Sequence, residues 1–132
     1  MPLAMITGAG SGIGLASARM LHDMGMAVVG VGRDPAKLNA LQQTIGDPGR
    51  LAALSVDITA KDAPKRIVDQ ALERYGRIDF LVNNAGIGSP KPLHETDDET
   101  LDHFLDIMLR APFRLAREVI THMQAGSGIV NV

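Results

Sequence analysis

Four glycines fall within Thr7-Gly8-Ala9-Gly10-Ser11-Gly12-Ile13-Gly14, directly after a short apolar run and directly before a segment of helical period. Glycine lets backbone turn sharply and approach a ligand closely, and the free N–H groups at a helix N-terminus favour negative charge. A loop of this composition in this place can therefore cradle a pyrophosphate. No Lys-Ser/Thr follows the glycines, which excludes a Walker loop, and Gly8-x-Gly10-x-x-Ile13 departs from the commonest dinucleotide form at its third glycine. Taken alone, the same run also describes a mere tight turn.

Three further stretches carry chemistry. Gly30-Val31-Gly32-Arg33-Asp34 follows a second apolar run, where dinucleotide folds read the adenosine ribose. A carboxylate there would bind the ribose 2′-OH and repel a 2′-phosphate; the position holds Gly32, and Arg33 follows it. Two readings stand for Arg33: a clamp for a phosphate, which favours NADP(H) over NAD(H), or an exposed residue beside a helix cap. Asp57 follows a third apolar run, placed either to accept a bond from an adenine amino group or to shape a turn. Asn83-Asn84-Ala85-Gly86 follows a fourth. Its amides can tie neighbouring strands together, and its two small residues let backbone pass close to a bound ring.

The elements that must position these residues are legible in the apolar pattern. Leu3 to Thr7, Ala27 to Gly32, Leu51 to Val56, Ile78 to Val82 and Ile129 to Val132 read as strands, apolar almost throughout rather than alternating. Between them lie a helix from Ile13 to Met24, stopped by Gly25, and one opened by Asp34-Pro35 with Leu38, Leu41 and Ile45 on its apolar stripe. A third carries Ile67, Val68, Ala71, Leu72 and Tyr75, and Thr59-x-x-Asp62 reads as its capping box. A second capping box, Thr96-x-x-Glu99, opens a long helix over 97–124, with Asp97, Asp98 and Glu99 suited to the helix dipole and Pro112 expected to kink it. Asp106–Arg110 and Arg114–Glu118 are expected to pair across its outer face. Strand and helix in this alternation predict an α/β fold, a Rossmann-like doubly wound parallel sheet of about five strands with helices on both faces, as one domain over 1–132.

The composition narrows the function. With 132 residues, 45% of them hydrophobic, the chain can bury a core without staples. It has no cysteine, which excludes disulfides and thiolate metal sites, and His22, His94, His103 and His122 lack ligand-like spacing, so no metal is expected. A net charge of −2 argues against nucleic acid. No run approaches about 18 apolar residues and no leader-like N-terminus is visible, so no membrane partner is expected and the default location is cytoplasmic.

With Thr7-Gly8-x-x-x-Gly12-Ile13-Gly14, Asp57 and Asn83-Asn84-Ala85-Gly86 in order, the sequence resembles the classical short-chain dehydrogenase/reductase family over essentially its whole length. Arg110-Ala-Pro-Phe113 and Gly128-Ile-Val-Asn-Val132 are similar to the family's long helix and fifth strand. The resemblance implies a nicotinamide dinucleotide cofactor. Gly8, Ser11, Gly12, Ile13 and Gly14 would hold its phosphates and ribose, Arg33 the 2′-phosphate, and Asp57 with Ile58 the adenine. Asn84, Ala85 and Gly86 would lie beside the nicotinamide-side ribose, and Asn83 would brace the sheet. It further implies hydride exchange with a small carbonyl or alcohol, and a homo-oligomer formed through the long helix.

Departures accompany these matches. The family's catalytic serine and Tyr-x-x-x-Lys would lie beyond Val132, and the only tyrosine, Tyr75, is followed four residues later by Asp79. No catalytic residue is therefore assigned, and the chain is expected to be a truncated, inactive cofactor-binding portion of an NADP(H)-dependent oxidoreductase. The alternative is a non-catalytic dinucleotide-binding module that partners an intact paralogue. Counting back five from Phe113, where the family usually has an asparagine, gives Met108, expected to be an ordinary core residue. Leu101, Leu105, Leu109 and Ala116 form a second apolar stripe on the long helix, which predicts self-association.

Overall fold

The strands form where the sequence is continuously apolar: β1 Leu3–Thr7, β2 Ala27–Gly32, β3 Leu51–Ser55, β4 Phe80–Asn83 and β5 Gly128–Asn131. In a computed structural model that describes residues 1–88 and 91–132, they make one parallel sheet in the order β3-β2-β1-β4-β5. Ser89 and Pro90, part of the turn-rich stretch after β4, lie outside the described residues. The chain runs outward from β1 to β3, then returns to the other side of β1 for β4 and β5. Strand order thus reverses between β1 and β4, and ligands of open α/β sheets bind at the carboxyl end of such a reversal.

Successive strand residues feed opposite faces. Ile6 and Val28 join Leu38 and Leu41 in a core under α1 (Gly12–Asp23) and α2 (Pro35–Ile45). Met5 and Val29 join Ile67, Val68, Leu115 and Val119 under α3 (Ala63–Tyr75) and α5 (Ala111–Val119). Burying each such aliphatic side chain contributes roughly 1.5–3 kcal/mol, so the sheet is held from both sides. Gly30 sets how closely α2 approaches: a Cβ there would come within 2.6 Å of Leu41 Cδ2 and 3.0 Å of Ala9 Cβ. No helix of the described residues is long and apolar enough to cross a membrane.

Several expected local details differ. Thr59 does not cap α3; its hydroxyl and its N–H both donate to Asp57 Oδ1, at 2.8 and 2.9 Å, which closes a turn after β3. Asp62 precedes that helix without a side-chain cap bond, and Pro64 supplies its first-turn geometry. Thr96 likewise donates its hydroxyl to the Pro92 carbonyl, within a 3₁₀ turn at Leu93–Glu95, and the N-cap is Asp97, which accepts from the Thr100 N–H at 2.8 Å.

The long helix runs without a break from Asp98 to His122 but changes its winding along the way. It comprises α4 (Asp98–Leu105), a π-helical turn at Asp106–Arg110, α5, and a 3₁₀ turn at Ile120–His122. Pro112 has no N–H to give to the carbonyl four residues back, and its ring crowds that carbonyl, so a wider turn forms just ahead of it. Asp106 and Arg110 pair at 2.7 Å as expected. Among the described residues Arg114 and Glu118 form no ion pair. Met108 is not a core residue: it is 52% exposed, whereas Ile107 beside it is buried.

Candidate functional site

The site is assembled by Thr7. It ends β1 as the one polar residue of an otherwise apolar strand, with only 3% of its surface exposed. Its Oγ1 accepts the backbone N–H groups of both Asn84 and Ala85 at 3.0 Å. In return the Asn84 side-chain amide donates to the Thr7 carbonyl at 3.1 Å and the Gly8 carbonyl at 3.3 Å. Four bonds therefore lock the loop after β1 to the loop after β4 across the point where strand order reverses. Asn83 ties the other side of β4, donating its amide to Asn131 Oδ1 of β5 at 3.0 Å. The two adjacent amides thus brace three strands, as their types suggested.

Glycine is required where these loops meet. A Cβ on Gly14 would stand 2.1 Å from the Gly8 carbonyl oxygen and 2.5 Å from Asn84 Nδ2, so the first turn of α1 sits directly on the locked loop. Gly8 has a left-handed backbone, φ +66°, and a Cβ on it would meet Ala85 Cα at 2.9 Å. Ser11 precedes α1 in extended conformation without capping it through its side chain, and no acidic residue occupies that helix's first turn. The N-terminal donors of α1 are left for another acceptor, the arrangement that suits an anion.

A cleft of about 390 Å³ opens beside this junction. Gly8, Ser11, Arg33, Asp57, Ile58, Asn84, Ala85 and Gly86 all line it, so residues read from four separate loops come together. Gly12, Ile13 and Gly14 do not line it: Gly12 provides a left-handed turn at φ +54°, Ile13 is 65% exposed, and Gly14 is buried beneath the loop. Asp57 has one carboxylate oxygen engaged by Thr59, while Oδ2 has no protein partner among the described residues. The two Thr59 bonds hold its carboxyl below the usual aspartate range, and Arg33 adds to the effect against the opposing influence of burial. Asp57 is therefore an ionised acceptor at neutral pH.

The family model described as short chain dehydrogenase matches residues 2–132. The chain belongs to this family. Cis-4-hydroxycyclohexanecarboxylate dehydrogenase of Sinomonas cyclohexanicum is 39% identical over 134 residues, an alignment that takes in 98% of this chain and 53% of the relative. Among solved structures, a metagenomic short-chain oxidoreductase in complex with NADP is similar at 36% identity and a TM-score of 0.89, covering 98% of this chain and 61% of that one. The Brucella melitensis 3-ketoacyl-(acyl-carrier-protein) reductase, complexed with NADH, is 35% identical with a TM-score of 0.86, over 92% and 50%. The chain spans about half the length of the relatives it matches.

In this short-chain dehydrogenase chain Tyr75 stands apart from the cleft. It packs against the α3 side of the core, with the Arg74 guanidinium 5.4 Å from its ring centre, and burial raises its phenol pKa. His22 is buried at the far end of the fold, its Nε2 3.1 Å from Asp47 Oδ2. Further residues line the cleft beyond those assigned from sequence, among them Gly10, Ile87, Lys37 and Ile107. Gly10 and Ile87 belong to loops of evident interest but carry no signal that separates them from their neighbours. Lys37, four residues after Arg33 in the first turn of α2, has a detectable signal in that spacing. Ile107 has none, since it reads as one more core position of the long helix.

Proposed function

We propose that the cleft binds a nicotinamide dinucleotide, NADP(H) in preference to NAD(H), and forms the cofactor site of a short-chain oxidoreductase acting on a small carbonyl or alcohol. When bound, the dinucleotide supplies or accepts the hydride exchanged with that substrate. The observation that carries the reading is the gathering of Gly8, Ser11, Arg33, Asp57 and Asn84 around one cleft at the strand reversal. The residues fit such a group: glycine at 8 and 14 lets the loop after β1 pack closely on Asn84, Ala85 and the first turn of α1, and the α1 N-terminus, without a side-chain cap, suits a diphosphate.

Gly8, Ser11, Gly12, Ile13 and Gly14 form the turn that presents N–H groups to phosphate and ribose, with Gly12 to Gly14 acting through loop shape. Arg33 takes the 2′-phosphate, a role favoured by Gly32, which places no carboxylate beside it. Ionised Asp57 accepts from the adenine amino group, and Ile58 packs on the ring. Asn84 holds the loop while Ala85 and Gly86 pass beside the nicotinamide-side ribose. None of the 132 residues forms a Tyr-x-x-x-Lys pair, so this chain alone binds the dinucleotide without turnover. Its exposed Leu101, Leu109 and Phe113 favour pairing with a second copy.

Fluorescence titration with NADPH and NADH tests the reading. NADPH should bind at least about tenfold more tightly, the value of one added charge-assisted phosphate contact. Equal or tighter binding of NADH would overturn the preference, and steady oxidation of NADPH by this chain with a panel of carbonyls would overturn the absence of turnover.

A further inference from the structure

We propose that Met108 is a reversible oxidation site that regulates the cleft: a hydroperoxide converts its thioether to the sulfoxide, and the sulfoxide weakens nucleotide binding through Ala85 and Gly86. This control rests on the dinucleotide reading above. The π-helical turn at Asp106–Arg110 buries Ile107 in the wall of the dinucleotide cleft and leaves Met108, the next residue, half-exposed. Met108 lines a second cavity of about 430 Å³, together with Ala85, Leu109, Pro112 and Phe113. Ala85 borders both spaces, so the methionine and the dinucleotide share a wall. The contact extends to the next residue: Met108 Cε stands 3.7 Å from the position a Cβ would take on Gly86.

A thioether needs no deprotonation to react. A sulfur lone pair attacks one peroxide oxygen, the O–O bond breaks as the S–O bond forms, and the displaced oxygen takes up the peroxide proton and leaves as water or an alcohol. Sulfur is oxidised by two electrons and the peroxide is reduced by two. Access decides which methionines react: Met5 is in the core, whereas Met1, Met20, Met24 and Met108 are all more than half exposed. Of these four, Met108 alone lines the cavity that borders Ala85. Among the described residues none that lines this cavity is charged, and its two polar side chains, Asn83 and Asn131, are bonded to each other at 3.0 Å. A sulfoxide oxygen is a new acceptor in these surroundings. It competes for the amide that braces β4 to β5, or it turns toward the Ala85–Gly86 backbone, and either course shifts the wall shared with the cleft.

The test exposes the protein, its Met108→Leu variant and a Met20→Leu, Met24→Leu double variant to hydrogen peroxide, with folding checked by circular dichroism. Peptide mass spectrometry locates the added oxygen, and dissociation constants for NADPH and NADH are measured before and after. Met108 should gain one oxygen, and both nucleotides should then bind about tenfold more weakly. The double variant should show the same loss, Met108→Leu should show none, and a thiol-driven methionine sulfoxide reductase should restore binding to the oxidised protein. An unoxidised Met108 beside oxidised Met20 and Met24 would overturn the proposal, as would an equal loss in Met108→Leu. Without nucleotide, the Ala85 and Gly86 amides should shift in ¹H–¹⁵N spectra on oxidation, and unmoved amides would likewise overturn it. Shifted amides in a protein that binds neither nucleotide before treatment would overturn the dinucleotide reading itself, so the two failures are distinguishable.

Discussion

Replacing Thr7 by valine keeps the shape and β-branching of the side chain and removes only its hydroxyl. The Asn84 and Ala85 N–H groups, both directed at Oγ1 at 3.0 Å, lose their acceptor at once. A donor orphaned in a buried setting costs about 1–3 kcal/mol. Because Asn84 and Ala85 are half-buried and water can partly reach them, the pair should cost about 2–4 kcal/mol. With an unfolding entropy of about 2.1 cal/mol/K per residue, a chain of this length should lose about 7–14 °C in Tm. Urea unfolding followed by circular dichroism measures the loss, and an unchanged m-value would assign it to the native state. Thr7→Ser retains the acceptor and should stay within about 1 kcal/mol of the unmodified protein, the cost of one buried methyl. A Thr7→Val loss below about 0.5 kcal/mol, or a Thr7→Ser loss just as large, would refute the role of the hydroxyl as the clamp between the two loops.

Three further outcomes follow from the same geometry. Gly14→Ala drives a methyl into the Gly8 carbonyl 2.1 Å away and should displace the α1 turn, so nucleotide binding is lost even where the fold survives; tight NADPH binding by a folded variant would contradict this. Asp79 is held below its ordinary pKa chiefly by Arg77 and further by the Leu3 N–H at 2.7 Å. Its stabilisation is therefore complete above the unfolded value of about 3.9 and is lost as pH falls through the lower folded value. Asp79→Asn should flatten the decline of stability below about pH 4, and an unchanged slope in urea titrations there would count against the pair. Sedimentation at rising concentration should show self-association that Leu109→Glu with Phe113→Glu abolishes, since both side chains are at least 60% exposed on the outer helix face; concentration-independent monomers would dismiss that face as an interface.

Legibility followed the range of the interaction. Strand positions came through because a short, continuously apolar run bounded by glycines is what a strand covered on both faces requires. The helix α2 came through with its Asp34 cap and Pro35 because capping is local chemistry. Both capping boxes failed for a related reason: Thr59 and Thr96 each found a nearer partner, Asp57 Oδ1 and the Pro92 carbonyl, and a short motif cannot announce that competition. The π-helical turn was visible only as a proline expected to disturb a helix. The packing of Lys37 against Gly10 and the entry of Ile107 into the cleft wall are products of tertiary placement, with no pattern of their own in the chain. Thr7 lies between these cases, since a polar residue closing an apolar strand is a signal, although its partners 77 and 78 residues away are not.

The most direct measurement is a ¹H–¹⁵N NMR titration of the labelled protein with NADP⁺. Binding in the proposed cleft should shift the amides of Gly8, Gly10, Ser11, Arg33, Asp57 and Ala85 while leaving the far end around His22 and Asp47 unchanged. Shifts spread over the exposed face of α5 instead, or none at saturating nucleotide, would contradict the assignment of this cleft as a dinucleotide site.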